Sequence, residues 1–261
     1  MYHSITFGDK NTWDDWCLIP NGRPIFVPPT QKTNYLDIPG GNGSLDMSEA
    51  LTGYPVFNDR EGSFSFIIMN KGASMYPECD PNTLDGIYET ILSYLHGKTM
   101  RAVLEDDPMF FYKGRFAVGS ITPGADWSTI EIAYHVEPYK YSILSTTDSW
   151  LWDPFSFKNG IILNATLSNI VVSTASKTIK LNRKFIGEKP VVPKFIVSST
   201  NGQGVWIQLF NPNLGINTTT LFQNGEQVDN DYILYGDDVT LQLFTSSGSG
   251  TVSVEFYPGR L

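Results

Sequence analysis

Ile38-Pro39-Gly40-Gly41-Asn42-Gly43-Ser44-Leu45-Asp46, running on to Glu49-Ala50-Leu51-Thr52-Gly53, is the stretch on which the reading of this chain turns. A strand-like run, Asn34-Tyr35-Leu36-Asp37-Ile38, leads into it, and a second, Ser63-Phe64-Ser65-Phe66-Ile67-Ile68, follows it. Hairpin connections usually span about two to five residues, and longer ones are functional or disordered. This one carries Leu45, Met47, Leu51, Val56 and Phe57 among its glycines and prolines. A disordered segment is poor in apolar groups. The stretch therefore predicts an arm, residues 38–62, whose apolar side is covered by something outside it.

The rest of the chain sets the context for that arm. Its 261 residues suit one large or two ordinary domains. Hydrophobic residues make up 41%, enough for packed cores, whereas charged residues make up only 17%. About a quarter charged is usual, so much of the surface is expected to be buried between subunits. The net charge of −9 is uneven: residues 1–140 hold 10 Lys and Arg against 18 Asp and Glu, and residues 141–261 hold 8 against 9. Such acidity disfavours adhesion to nucleic acid. Two cysteines, Cys17 and Cys79, form no disulfide framework and have no zinc-ligand spacing, and are read as reduced, buried thiols. The start Met1-Tyr2-His3-Ser4 has no signal-peptide character. No run of about 18 apolar residues suggests a membrane span, so a soluble protein made in a cytoplasm is expected.

Strand signals dominate. Ile130, Ile132, Tyr134 and Val136 alternate with Glu131 and His135, Val239, Leu241 and Leu243 with Thr240 and Gln242, and Val252, Val254 and Phe256 with Ser253 and Glu255. Pro123-Gly124, Asn201-Gly202, Asn224-Gly225 and Ser247-Gly248 punctuate them. One segment differs: Leu84, Ile87, Tyr88, Ile91, Leu92 and Leu95 recur with helical spacing. It predicts a helix over about 81–96, with Asp80 as N-cap, Pro81 at the first position and Gly97 just past the end. Ser145-Thr146-Thr147-Asp148-Ser149 reads as a linker. A boundary within 141–160 gives an N-terminal domain of residues 1–145 and a C-terminal domain of residues 146–261.

Catalytic signatures are missing from the sequence: it has no Gly-x-Ser-x-Gly, His-Glu-x-x-His or P-loop pattern. His96 and His135 read as structural residues, one in a helix's last turn and one on a strand's polar face. Glu105-Asp106-Asp107-Pro108 has the oxygen density a hard cation wants but the pattern of a turn, so no metal and no cofactor is expected. Six tryptophans invite a sugar-binding reading. Trp150 and Trp152 fit better as core or domain-pinning residues. Trp206 is the sugar candidate, since Val205, Ile207 and Leu209 would fill the opposite face of its strand.

These segments, taken in order, resemble the distal tail protein (Dit) family of long-tailed bacteriophages and prophages. The resemblance rests on Ile38-Pro39-Gly40, Gly43-Ser44-Leu45-Asp46 and Glu49-Ala50-Leu51-Thr52-Gly53. It continues through Tyr94-Leu95-His96-Gly97-Lys98, Leu104-Glu105-Asp106-Asp107-Pro108, Phe111-Tyr112-Lys113-Gly114-Arg115 and Glu137-Pro138-Tyr139-Lys140-Tyr141. It covers roughly residues 1–157, and the ending Phe256-Tyr257-Pro258-Gly259-Arg260-Leu261 also looks similar.

The resemblance implies a mainly β protein: an N-terminal tail-tube-like β-barrel or sandwich with one α-helix, and a C-terminal galectin-like β-sandwich. It implies a non-enzymatic virion protein, a homohexameric ring that joins the tail tube to the baseplate or host-adhesion apparatus at the tail tip. The expected partners are other copies of the chain, the tail tube protein and a tail-associated, baseplate or receptor-binding protein, with DNA only in transit through a central channel and no membrane. Assembly would take place in the bacterial cytoplasm. On this reading the arm clasps the neighbouring subunit, and Ile38, Gly43, Ser44, Leu45, Asp46 and Leu51 are its expected contacts. The alternative is a carbohydrate-binding β-sandwich that recognises the host surface, with Trp206 in the site.

Overall fold

The structure, a computed structural model, describes residues 2–69, 84–124, 127–148, 155–156, 161–162 and 167–261. It separates into two compact units, Met1–Lys140 and Tyr141–Leu261.

In the first unit β1 (Ile5–Phe7), β2 (Lys10–Asn11), β3 (Ile19–Pro20), β4 (Tyr35–Asp37), β5 (Ser44–Asp46) and β6 (Arg60–Met69) precede α1 (Leu84–Leu95), and β7 (Thr99–Leu104), β8 (Phe110–Thr122) and β9 (Trp127–Val136) follow it. All but β4 and β5 join one antiparallel sheet in the order β2-β1-β7-β8-β9-β6-β3. The alternation in β9 settles which face turns inward: Ile130, Ile132, Tyr134 and Val136 are buried, Glu131 and His135 exposed. Phe64, Phe66 and Ile68 of β6 and Phe116 and Val118 of β8 lie in the same core.

The helix closes that core through Ile91 and Leu95, which are fully buried, with Ile87, Tyr88 and Leu92 packed beside them. It ends as its sequence predicts. Gly97 adopts φ +72°, which only glycine reaches without strain, and Lys98 Nζ donates to the Ser93 carbonyl at 2.7 Å. The predicted N-cap Asp80 and the first position Pro81 lie outside the described residues. His96 is structural: its Nδ1 accepts the Val118 N–H at 3.1 Å.

The boundary strand β10 (Lys140–Ser142) opens the second unit's chain. A short antiparallel pair follows, β11 (Phe155–Ser156) with β12 (Ile161–Ile162). Two four-stranded antiparallel sheets then form a sandwich. One holds β13 (Ile170–Val172), β15 (Lys194–Ser199), β18 (Gly225–Val228) and β20 (Gly250–Glu255), in the order β13-β20-β15-β18. The other holds β14 (Lys177–Leu181), β16 (Val205–Asn211), β17 (Ile216–Phe222) and β19 (Val239–Phe244), in the order β14-β19-β16-β17. A single turn of helix, α2 (Arg183–Ile186), is capped by the Asn182 side chain, and β21 (Gly259–Arg260) lies near the end. The core draws Phe195, Val197, Val252 and Val254 from one sheet and Ile207, Leu209, Leu241 and Leu243 from the other. Tyr232 sits at its centre, edge-on to Phe195 and Phe222, and donates its hydroxyl to the Ile207 carbonyl at 2.5 Å.

Two expectations from sequence are corrected here. Ser145–Asp148 is not a free linker: Ser145 and Thr146 are buried, and Thr146 Oγ1 donates to the Val254 carbonyl at 2.6 Å while accepting the Phe256 N–H at 3.0 Å. Hydroxyl side chains let a polar stretch mimic a strand partner, which composition alone does not reveal. Cys17 is disulfide-bonded rather than a reduced thiol. Sequence separation carries no information about which thiols meet in space, and Cys79 lies outside the described residues.

Candidate functional site

The arm is built from its root outward. Phe26 is buried against Phe64, Tyr112 and Tyr134, with ring centroids 5.0, 3.9 and 4.7 Å away. Beside it the Tyr134 hydroxyl accepts the Val27 N–H at 2.9 Å. Gly62 makes room for that hydroxyl, because a Cβ there would lie 2.5 Å from it. Arg60, 4% exposed, bridges the root to the body: its Nε donates to the Pro138 carbonyl at 2.8 Å and its Nη1 to the Val27 carbonyl at 3.2 Å. Its guanidinium lies 5.4 Å from the centre of the Tyr112 ring. Burial pushes the Arg60 pKa down, yet an arginine stays charged at any physiological pH.

From this root the chain leaves and returns as a ribbon. Thr30 and Lys32 pair with Asn58 and Val56 through backbone bonds of 2.8 Å each. Farther out β4 pairs with β5, register Tyr35↔Asp46, Leu36↔Leu45 and Asp37↔Ser44. The sequence suggested that Asn34–Ile38 and Ser63–Ile68 flank one long connection. Instead β4 pairs within the arm, while β6 pairs with β3 and β9 in the main sheet. Pro39-Gly40 is the reason. Gly41 N–H donates to the Ile38 carbonyl at 3.0 Å and Gly40 takes φ +77°, which makes a type II turn with proline at its second and glycine at its third position. That turn sends the chain straight back along itself.

Leu36 and Leu45 stand directly opposite one another and are 57% and 47% exposed. Met47, two residues past Leu45, falls on the same face by strand alternation and is also exposed. The other face carries Tyr35, Asp37, Ser44 and Asp46. Successive turns over 47–53 then leave Leu51 100% exposed. Ile25, Val27 and Ile38 add further exposed apolar surface along the same segment. A two-stranded ribbon alone is marginal in water, and contiguous apolar exposure of this kind marks an interaction surface.

Of the six residues expected as contacts, Ile38, Gly43, Ser44, Leu45 and Asp46 share this hairpin, and Leu51 lies in the turns that follow. Ile38, Leu45 and Leu51 are exposed apolar groups of the kind an interface buries. Gly43 serves the backbone, at φ +79° just before β5. Asp46 serves the turn: its carboxylate accepts the Ser48 N–H at 2.9 Å and the Ser48 hydroxyl, and these bonds hold its pKa below the ordinary carboxylate value. Sequence reasoning passed over Leu36, Ile25, Val27 and the Arg60 anchor. A signal for Ile25 and Val27 was present: Pro24-Ile25-Phe26-Val27-Pro28-Pro29 is a continuous apolar run between prolines, and extended backbone before a proline turns Phe26 to the side opposite Ile25 and Val27.

The polar clusters have ordinary duties. Ser4 N–H donates to Glu105 at 2.9 Å, Asp106 pairs with Arg23 at 2.7 Å and His3 at 2.9 Å, and Asp107 pairs with Lys140 at 2.6 Å. His135 lies between Asp59 and Glu61, 2.8 and 2.9 Å away, beside an open cleft of about 540 Å³ at the arm's root. Among the described residues no group of His, Cys, Asp and Glu could hold a metal ion, and no helix is long and apolar enough to cross a membrane. Trp206 is half-buried on β16, while Val205, Ile207 and Leu209 fill the inner face. Trp150 and Trp152 lie outside the described residues.

No protein-family model and no curated protein matches the chain. Among solved structures it is similar to SPP1 Dit (gp 19.1), described as a paradigm of the hub adsorption apparatus in phages that infect Gram-positive bacteria. The TM-score is 0.59 at 14% identity, over 98% of this chain and 100% of that chain. The fold is that of a phage distal tail protein. The match takes in nearly the whole of this chain, and at this identity the likeness is one of fold.

Proposed function

We propose that this chain is a structural hub protein of a long-tailed phage, and that its ribbon clasps the next copy of the same chain in a closed ring. The observation that carries the reading is the ribbon itself: a self-paired hairpin anchored by a buried arginine, with Leu36, Leu45 and Leu51 left uncovered by its own chain. Ring closure joins one patch to a different patch on the neighbour, and a projecting arm suits that geometry. The Dit fold supports a position at the tail tip. There the ring, a homohexamer, would meet the tail tube protein on one face and a baseplate or receptor-binding protein on the other. Its work is assembly rather than catalysis, and it would be built in the bacterial cytoplasm and carried on the virion.

The acidity of residues 1–140, 10 basic against 18 acidic side chains, then gains a use. Carboxylates along the channel wall would repel phosphate and let DNA pass without adhering. Negative-stain imaging of the purified chain, alone and with tail tubes, tests the reading. A six-fold ring with a central hole is the expected result. A chain that stays monomeric at every concentration and does not bind tube ends overturns it.

A further inference from the structure

We propose that the outer face of the β14-β19-β16-β17 sheet binds a neutral pyranose glycan. The strand register defines this face. Trp206, Gln208 and Phe210 of β16 stand opposite Phe244, Gln242 and Thr240 of β19, and opposite Leu221, Thr219 and Asn217 of β17. Each lies on the face away from Val205, Ile207, Leu209, Leu241 and Leu243, which are fully buried.

The outward rows are graded from aromatic to polar and back. Trp206 and Phe244 form a cross-strand pair with near-parallel rings, 12° apart and centroids at 6.4 Å. Both stay half-buried, whereas the core aromatics Phe195, Phe222 and Tyr232 are 0–1% exposed. Phe210, 48% exposed, stands at the far end. Beside Phe210 lies a hollow of about 280 Å³ lined by Gln208, Phe210, Asn217, Thr240 and Gln242, so Phe210 is its aromatic wall.

The chemistry selects the ligand. A pyranose ring has a C–H face that stacks on an aromatic plane and an equatorial rim of hydroxyls that both donate and accept. Amide side chains offer both capacities at once. Gln208 Nε2 is committed to Asn217 Oδ1 at 3.0 Å, which leaves the Gln208 carbonyl and the Asn217 amide donors for a ligand. The side chains of Gln242 and Thr240 make no hydrogen bond among the described residues. No charged residue falls within the three strand rows, and Lys180 is on the neighbouring strand opposite Thr240. A neutral surface complements a neutral ligand and gives no footing to phosphate backbones. Protein partners generally require about 800 Å² per side around an apolar centre, and this centre is polar. The hollow is near the lower end of ligand-site volumes, about 300 Å³, which fits one sugar ring at a time and weak, repeat-dependent binding.

Titration calorimetry and saturation-transfer NMR on the full chain test the assignment. The neutral probes are lactose, cellobiose and maltose, and the charged controls are sialyllactose and a hyaluronate tetrasaccharide. Saturable millimolar binding of at least one neutral sugar is expected, weakened at least tenfold by Phe210→Ala and by Gln242→Ala and retained by Phe210→Trp. Gln242→Ala guards against misfolding, since it removes only an outward amide and should leave the unfolding temperature unchanged. Failure of all three neutral sugars to bind overturns the proposal, as does binding that both alanine variants preserve or binding confined to the charged controls. The inference does not rest on the hub reading. A monomer that ignores tube ends but binds sugar would sink the hub and keep this site, and rings that bind none of the neutral sugars would do the reverse.

Discussion

Replacing Leu51 by aspartate should impair assembly while leaving each subunit as stable as before. Leu51 is 100% exposed in the isolated chain, so its removal takes nothing from the core. Surface changes of this kind stay within about 0.5 kcal/mol. On assembly the balance differs. Burying a leucine side chain contributes about 1.5–3 kcal/mol, and an aspartate in its place must also be desolvated without a partner. A loss of about 2–3 kcal/mol per contact is the expected total, roughly 30- to 150-fold in the association constant at about 1.4 kcal/mol per factor of ten. Sedimentation velocity across a concentration series reads that shift directly, and thermal unfolding of the unassembled variant reads its stability. Leu45→Asp, which breaks the pair with Leu36, should behave alike, and Leu51→Ala should fall between. Val171→Asp is the control, since Val171 is 70% exposed but belongs to the second unit. Unchanged assembly of Leu51→Asp and Leu45→Asp would refute the argument that the arm is an apolar interface element. So would an equal loss in Val171→Asp.

Arg60→Met should cost about 2–4 kcal/mol, because it leaves the Pro138 and Val27 carbonyls without their charged donor. Faster hydrogen exchange at Val27 and earlier proteolysis in the arm would report the loosened root, and unchanged exchange would refute the anchoring role. Acid should destabilise the first unit. The Asp15 carboxylate is held below its ordinary pKa by Lys10 and the Asn11 N–H, and that of Glu105 by the Ser4 N–H. A lowered folded-state pKa stabilises the fold above the ordinary carboxylate value, about 4, and that stability is lost as pH falls through the folded value. Calorimetry from pH 7 to 2 should therefore show the transition move down below about pH 4, and Asp15→Asn should flatten that dependence. Ser48→Ala removes the bond its hydroxyl accepts from Asn34 N–H at 2.9 Å and the one it donates to Asp46. It should slow association without hastening dissociation, which stopped-flow light scattering separates.

Period-two and helical patterns were legible because a buried face imposes them. Ile130 to Val136 and Ile91 with Leu95 fell on the faces their spacing required. The arm's existence was legible for the opposite reason, apolar residues in a stretch too rich in glycine for a core strand. Its internal pairing was not, because the Pro39-Gly40 turn and the Leu36–Leu45 pair depend on which run Asn34–Ile38 chooses as partner, and both choices satisfy alternation. Arg60 was invisible since nothing local distinguishes a clamping arginine from a solvated one. Trp206 was readable as outward-facing from its neighbours, but Phe244 beside it is set by long-range register.

The ribbon's polar face explains how so much apolar surface can wait for a partner. Were Leu36, Leu45 and Leu51 carried on a floppy loop, assembly would have to offset the ordering of about twenty residues, at about 1 kcal/mol or more each. Most of that ordering is already present in the isolated chain. The Pro39-Gly40 turn fixes the tip, Asp46 and Ser48 fix the return, the 30–32 and 56–58 backbone bonds close the stem, and Arg60 clamps the root. Preorganisation of this kind moves the entropic cost from association to folding. The same bonds carry a second consequence. They use the polar side chains Asp46 and Ser48 for the hairpin's own backbone and turns and leave the leucine face uncovered. A surface that receives the leucine face must then be apolar and shaped to a two-stranded strip. In the proposed ring, the neighbouring copy of the chain would have to meet that demand once per subunit.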